Sequence, residues 1–564
     1  VHDRQVDPGA VSTAAARRLP AAIAVLLAVV VLVGSQLPLA WAVHAQHRQY
    51  HPDLEFTGTL PLYLDDAAAD WSFMRQAKDG RFFLSDLYAV DEHPRNYVNV
   101  LLWALGTFAR VFGADVVVVY NVAKVVLGAL LLWLLFRLSR RLFDRPGEAT
   151  ACFFMLVLAG GWEGPVAFLQ RNAGATWSAS SPGWWMPEIS TVFSMVLFPH
   201  LTAGFAAMVA VILLMLKAWR RDDAAPRARA VASAGAGAVV FALALFHPFD
   251  AVTALGTIWT APLLIGLAER RWPRGEAVHA LIASLVAAPA VGYDLFLVAT
   301  NPAIRAWHAQ GVMTTPEAGA LLMALGVNLP LAALLLPRFR SLGRPHLALL
   351  SWLAAAIVLI HLPLPFQRRM MGGIQFPLAA LACTSIALVL APRLGSALRL
   401  PRDWIVAALV VLVAPLNVLT PFYVHQQQWR EVARLNYPSW LSTEEREALR
   451  RLDSIAPRGA KALASYDTGN LVPPFAGIAT YVGHNALTVD AKARRKDVER
   501  FFAAGPEDDA WRQELLRRWG IGFVIYTARE RALGDFDPST RPWLQEVFVT
   551  GEVPARRAAV YRLR

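Results

Sequence analysis

Tyr63-Leu64-Asp65-Asp66 sets two carboxylates side by side, with Asp70 four residues further on. A carboxylate held at a membrane edge can act as general base toward an attacking hydroxyl. The same pair could equally be the acidic face of a solvated loop, so its company decides the reading. Glu163, in Gly160-Gly161-Trp162-Glu163-Gly164, and Glu188, before Ile189-Ser190-Thr191, sit beside apolar runs, where ionisable groups are costly and usually face a protein-lined cavity. Glu163 is open to two readings, a second acidic or metal-binding group and an interface anchor. Glu188 is either functional or the cap of the helix that follows. His200 after Pro199, and His247 and Asp250 in His247-Pro248-Phe249-Asp250, are candidates for a polar cavity or for satisfied structural groups.

Gln367-Arg368-Arg369 is the clearest anomaly, because adjacent arginines beside an apolar run need an anion to offset their cost. Guanidinium forks match phosphate oxygens, so the expected partner is a lipid headgroup or a lipid-linked phosphate substrate. Near the C-terminus, Tyr481-Val482-Gly483-His484-Asn485 places His484 where it could touch an acceptor, although turn chemistry accounts for most of that stretch.

The elements that must position these residues are membrane helices. Hydrophobic residues make up 56% of the 564 and charged residues only 17%, and mean hydropathy is +0.40. Apolar runs long enough to span a bilayer recur, giving an expected bundle of about eleven transmembrane helices. The first, about 21–41, reads as a retained helix in preference to a signal peptide cleaved near Val43-His44-Ala45. Arg-rich loops follow every second span, which puts the N-terminus in the cytoplasm. The expected division is a cytoplasmic tail 1–19, a membrane domain 20–423 with a long first outer loop 43–98, and an extracytoplasmic α/β domain 424–564. In the last, 444–455 and 511–519 read as helices and 522–527 as a buried strand. Thr468-Gly469-Asn470-Leu471-Val472-Pro473-Pro474 reads as loop. All the unusual polar residues then fall on the outer side. Val at position 1 fits an alternative bacterial start codon, so a bacterial plasma membrane is expected.

Several classes are excluded. The net charge of +12 is concentrated in short loops between apolar runs, where membrane orientation explains it, so nucleic acid is not an expected partner. Cys152 and Cys383 form no disulfide framework or CxxC site. No HExxH, P-loop, Rossmann fingerprint or GxSxG elbow is present. No cofactor is called for, and a divalent metal is left open.

The acidic pair in the first outer loop, with Lys78-Asp79-Gly80 behind it, the cationic Phe366-Gln367-Arg368-Arg369 loop and the outer C-terminal domain resemble the GT-C glycosyltransferases. These include protein O-mannosyltransferases, aminoarabinose transferases and oligosaccharyltransferase catalytic subunits. The stretch 469–484 is also similar to bacterial membrane proteins of this type. The resemblance implies transfer of a sugar, with inversion, from a polyprenyl-phosphate donor to an extracytoplasmic glycan, lipid or protein. Asp65 or Asp66 would be the base, Arg368 and Arg369 would stabilise the leaving phosphate, and Glu163, Glu188, His200, His247, Asp250 and His484 would bind substrate. The chain departs from the family in lacking a clear DxD or WWDYG-like motif. Rival readings are a flippase for lipid-linked saccharides and a non-catalytic assembly subunit, although no inverted repeat supports the former.

Overall fold

The computed structural model describes residues 8–60, 62–172, 181–220, 225–503, 505–553 and 556–564. Among these, eight helices are long and apolar enough to cross a membrane: Leu19–His47, Val116–Leu142, Pro199–Ala218, Pro226–Ala244, Pro248–Glu269, Arg274–Thr300, Gln367–Leu398 and Arg402–Ala433. A ninth arises if Pro146–Leu158 and Glu163–Gln170, bent by 68°, are one span. The expectation of about eleven spans is therefore met by eight or nine, and the shortfall has local causes. One expected span, the apolar run before Arg338, is broken into Ala318–Leu325 and Asn328–Ala333, with Gly326 between them at φ 65°, a left-handed conformation that no continuous helix contains. Another, Arg344–Leu359, is apolar but only 16 residues long, short of a bilayer span.

The chain forms two compact units. The first comprises Val1–Leu37, Lys124–Val291 and Met313–Gln427. Its core is a continuous set of buried aliphatic and aromatic side chains, including Phe205, Ile258, Trp352 and Phe376. Helix Pro248–Glu269 packs along Arg344–Leu359 and touches the turn Gln367–Met371. The bend after Leu158 is fixed by glycines. A Cβ on Gly160 would lie 2.3 Å from the Asn417 carbonyl oxygen, and one on Gly164 would lie 2.2 Å from the Thr420 nitrogen. The freed backbone groups are satisfied there: Gly164 N–H donates to Thr420 Oγ1 (2.8 Å), whose hydroxyl donates to the Gly161 carbonyl (2.9 Å).

The second unit gathers Pro38–Ala123, Gly292–Val312 and Gln428–Arg564. Its five-stranded sheet runs in the order Ala479–Thr480, Lys461–Leu463, Phe523–Tyr526, Ala558–Leu563, Leu544–Thr550. The first three strands are parallel and the last two pairings antiparallel, with Ala462 opposite Phe523 and Val524 opposite Tyr561. Leu463, Phe501, Phe502, Leu516 and Val524 fill its core. A separate ribbon pairs Leu54–Phe56 with Trp440–Ser442, tying the first loop to the C-terminal segment. Helix Leu64–Lys78, which carries the acidic pair, packs on Val100–Val111 and on Tyr466–Ala476. Gly106 permits the first contact, since a Cβ there would sit 2.3 Å from the Met74 carbonyl oxygen.

The helices at 443–455 and 509–519 and the strand at 523–526 match the sequence reading to within a residue or two. The stretch read as loop at 468–474 is instead helical, within Tyr466–Ala476. Ser465 caps it by accepting from Thr468 N–H, Pro473 and Pro474 lie near its C-terminal end, and Gly477 ends it at φ 69°.

Candidate active site

The second unit brings Asp65, Asp66 and His484 together. Helix Leu64–Lys78 begins after Tyr63, whose φ of 63° turns the chain sharply, so both aspartates lie in the first turn. The Tyr466 hydroxyl donates a short hydrogen bond to Asp65 Oδ2. Burial pushes the Asp65 carboxyl above the usual range, against lowering by Tyr466 and His484. Burial, with the neighbouring Asp65 charge, also pushes the Tyr466 phenol up, which keeps it a donor. Arg495 lies 3.4 Å over the Tyr466 ring. His484 Nε2 is 3.6 Å from Asp66 Oδ1. Its Nδ1 accepts from Ala486 and Leu487 N–H, both at 3.1 Å. An Nδ1 used as acceptor leaves the ring proton on Nε2, directed at Asp66.

Glycines set the depth of this cluster. A Cβ on Gly469 would lie 1.9 Å from the Val482 carbonyl oxygen, and one on Gly483 would lie 2.5 Å from the Gly469 carbonyl carbon. The two motif segments therefore touch backbone to backbone, which fixes His484 beside the helix that carries Tyr466. Tyr88 completes the wall, donating to the Asn470 carbonyl at 2.8 Å with its ring 5.6 Å from His484. Asp70 plays a different part: buried, it accepts from Tyr120 Oη at 3.0 Å.

Asp86, absent from the sequence candidates, is buried behind Tyr88. One oxygen accepts from Tyr88 N–H at 2.8 Å, and the other has no hydrogen-bond partner among the described residues. Burial pushes its carboxyl up to about 7. The fold therefore binds the proton more tightly than the unfolded chain does. The stabilisation is complete below the unfolded value of about 4 and is lost as pH rises through about 7. Thermal unfolding in detergent should show the Tm of the wild type falling between pH 5 and pH 8 more steeply than that of Asp86→Asn. Equal slopes would remove the proton from Asp86.

The first unit brings Glu188 to the arginine pair. Glu188 Oε1 lies 3.7 Å from Arg368 Nη2 and 3.8 Å from Arg369 Nη1. Of the two readings open for Glu188, the helix cap falls to Ser190, which caps helix Thr191–Leu197 by accepting from Phe193 N–H at 3.4 Å, while the Glu188 carboxylate sits in the turn Pro187–Ile189. The anion that the arginines require is thus supplied partly from within the chain. Both ion-pair distances are long, Glu188 Oε2 and Arg368 Nε are buried without hydrogen-bond partners among the described residues, and both guanidiniums keep some exposure, 18% and 19%. Arg368 stacks 4.8 Å over Trp185, and Arg369 lies 5.9 Å from the Phe249 ring.

Asp250 and His247 stand behind the loop that carries the arginines. His247 Nδ1 is 2.9 Å from Asp250 Oδ2, and the His200 and His247 rings stack at 5.7 Å. A Cβ on Gly372 would lie 2.3 Å from Asp250 Oδ1, and one on Gly204 would lie 2.4 Å from Asp250 Oδ2. Thr253 adds a hydroxyl donor to the Met370 carbonyl at 3.3 Å. Helix Pro248–Glu269 therefore braces the arginine turn through its first two turns. Glu163 is used differently: its Oε1 accepts from Ser181 Oγ (2.8 Å) and Gly183 N–H (3.0 Å), anchoring the turn before Trp184. Among the described residues, no group of three His, Cys, Asp or Glu could hold a metal ion.

Tyr466, Arg495, Tyr88, Asp86, Trp185 and Phe249 were missed by sequence reasoning. Tyr466 and Arg495 flank the two motif segments, and that adjacency was the one signal available for them.

Membrane-length helices with a small mixed sheet in the C-terminal segment make this a polytopic membrane protein, and its fold is similar to that of GT-C membrane glycosyltransferases. Two solved structures carry the likeness. ArnT from Cupriavidus metallidurans bound to undecaprenyl phosphate superposes with a TM-score of 0.52 at 14% identity, covering 95% of this chain and 97% of that one. The Archaeoglobus fulgidus oligosaccharyltransferase tethered to an acceptor peptide containing the NVT sequon gives 0.52 at 13% identity, covering 89% of this chain and 69% of that one. No protein-family model matches the sequence, and no curated protein sequence matches it.

Proposed function

We propose that this protein transfers a sugar from a polyprenyl-phosphate donor to an extracytoplasmic acceptor, with inversion. The observation that carries the reading is Asp65: a carboxylate raised by burial, oriented by Tyr466, with the Asp66–His484 pair beside it. A base of raised pKa takes a proton more readily, provided it remains ionised at working pH. In the proposed step the acceptor hydroxyl attacks the anomeric carbon and its proton passes to Asp65. The glycosidic C–O bond breaks, and the electron pair leaves with the polyprenyl phosphate. Arg368 and Arg369 stabilise the growing charge on that phosphate, while Asp250 and His247 position their loop. The fold's likeness to a structure that holds undecaprenyl phosphate supports the donor class. Residues 20–423 would form the membrane domain of a bacterial plasma-membrane protein, with the N-terminus inside and residues 424–564 outside.

The test is an assay of purified protein in nanodiscs with radiolabelled polyprenyl-phosphate sugars and envelope glycan, lipid or peptide acceptors. A new alkali-stable or enzyme-cleavable glycoside is expected. Movement of lipid-linked sugar across a vesicle bilayer without a new glycosidic bond would replace the reading with a transporter.

A further inference from the structure

A second cationic site lies in the first unit, apart from the arginine turn. A cavity of about 460 Å³ is lined by Arg141, Lys217, Trp219, Arg220 and Arg344. These come from the end of helix Val116–Leu142, the end of Pro199–Ala218 and the start of Arg344–Leu359. Membrane orientation alone accounts for arginines at helix ends, but it does not require them to converge on a concavity. Elsewhere on the same kind of loop the arginines are neutralised: Arg402 pairs with Glu148 at 2.7 Å, Arg145 with Asp403 at 2.9 Å, and Arg271 with Glu269 at 2.6 Å. Among the described residues, neither Arg141 nor Lys217 has a carboxylate partner, and no acidic residue lines the cavity.

The site is also built. Arg344 is held by Glu269 (3.1 Å) and Glu276 (2.9 Å) and donates to the Trp219 carbonyl, so the exposed negative end of helix Pro199–Ala218 is covered. The Trp219 side chain is 1% exposed, and its indole N–H has no hydrogen-bond partner among the described residues. Buried donors of this kind are rarely left unmatched.

We infer that this cavity binds a phosphate-bearing anion, either the headgroup of an acidic phospholipid or a soluble phosphate. Arg141 and Lys217 provide the charge, and Arg344 is the fixed wall. By the charge rule it lies at the cytoplasmic end of the bundle, and it does not depend on the proposed transferase activity.

Full-length protein in phosphatidylcholine nanodiscs is titrated with phosphatidylglycerol and, separately, with inorganic pyrophosphate, and bound ligand is read by native mass spectrometry. Wild type should bind at least one of the two. Each charge removed, by Arg141→Gln or Lys217→Gln, should weaken binding roughly fivefold at low salt, while Lys217→Arg retains it. Binding of phosphatidylglycerol without pyrophosphate assigns a lipid headgroup, and competition by pyrophosphate assigns a soluble phosphate. No binding of either by wild type, or equal binding by the glutamine variants, overturns the proposal.

Discussion

Asp65→Asn should lower kcat for sugar transfer roughly 10²-fold or more, with expression and membrane insertion unchanged. The amide keeps the shape and can still accept the Tyr466 hydrogen bond, but it cannot take the proton of an acceptor hydroxyl. Tyr466→Phe should produce a smaller loss, because it removes the group that orients Asp65 and leaves the base itself. Asp66→Asn is the informative companion. Its carboxylate is 40% exposed and faces His484 at 3.6 Å, so a loss smaller than that of Asp65→Asn is expected. If Asp66→Asn is the dead variant and Asp65→Asn turns over normally, the roles are exchanged. If both retain activity, the cluster is a solvated helix end and no base has been identified. The pH profile gives a second check: raised by burial, Asp65 should set an acidic limb in kcat/KM above the ordinary aspartate value of about 4.

Arg368→Lys and Arg369→Lys should lower kcat more than they raise KM for the donor, by roughly tenfold or more at the critical position. Donor binding needs positive charge, which lysine keeps. As the glycosidic bond breaks, negative charge gathers on the phosphate oxygens, and a guanidinium fork grips that charge through two parallel hydrogen bonds that an ammonium cannot reproduce. The interaction then strengthens toward the transition state, which is the condition for acting on kcat. Glu188 refines the expectation, because it already holds both guanidiniums at 3.7 and 3.8 Å. Glu188→Gln weakens that internal competitor and should tighten donor binding while destabilising the turn. Steady-state transfer and direct donor binding, measured on the same nanodisc preparations, separate these effects. If both lysine variants change only KM, the arginines bind the donor and do not assist bond cleavage.

The membrane class of this protein was written in the sequence because spanning a bilayer is a local property: enough consecutive apolar residues, with arginines at the ends. The same locality made the helix at 443–455 and the buried strand at 523–526 readable from period and composition. Local reading failed where long-range packing overrode it. Gly160 and Gly164 let the chain bend after Leu158 because the partner backbone at Asn417 and Thr420 comes within reach of them. A run dense in Gly and Pro at 468–474 became helix because Ser465 caps it and the Gly469 backbone lies against Val482.

The order of residues was enough to single out the types that are out of place in an apolar chain: the aspartate pair, the adjacent arginines, and the scattered Glu, His and Asp at the ends of apolar runs. It could not say how they combine. Tyr466 reaches Asp65 across 401 residues of chain, and Glu188 meets Arg368 and Arg369 from another helix. Those pairings come from the folded chain, because the desolvation that raises Asp65 and the ion pair that restrains the arginines depend on distances between elements, and no periodicity along the chain encodes them.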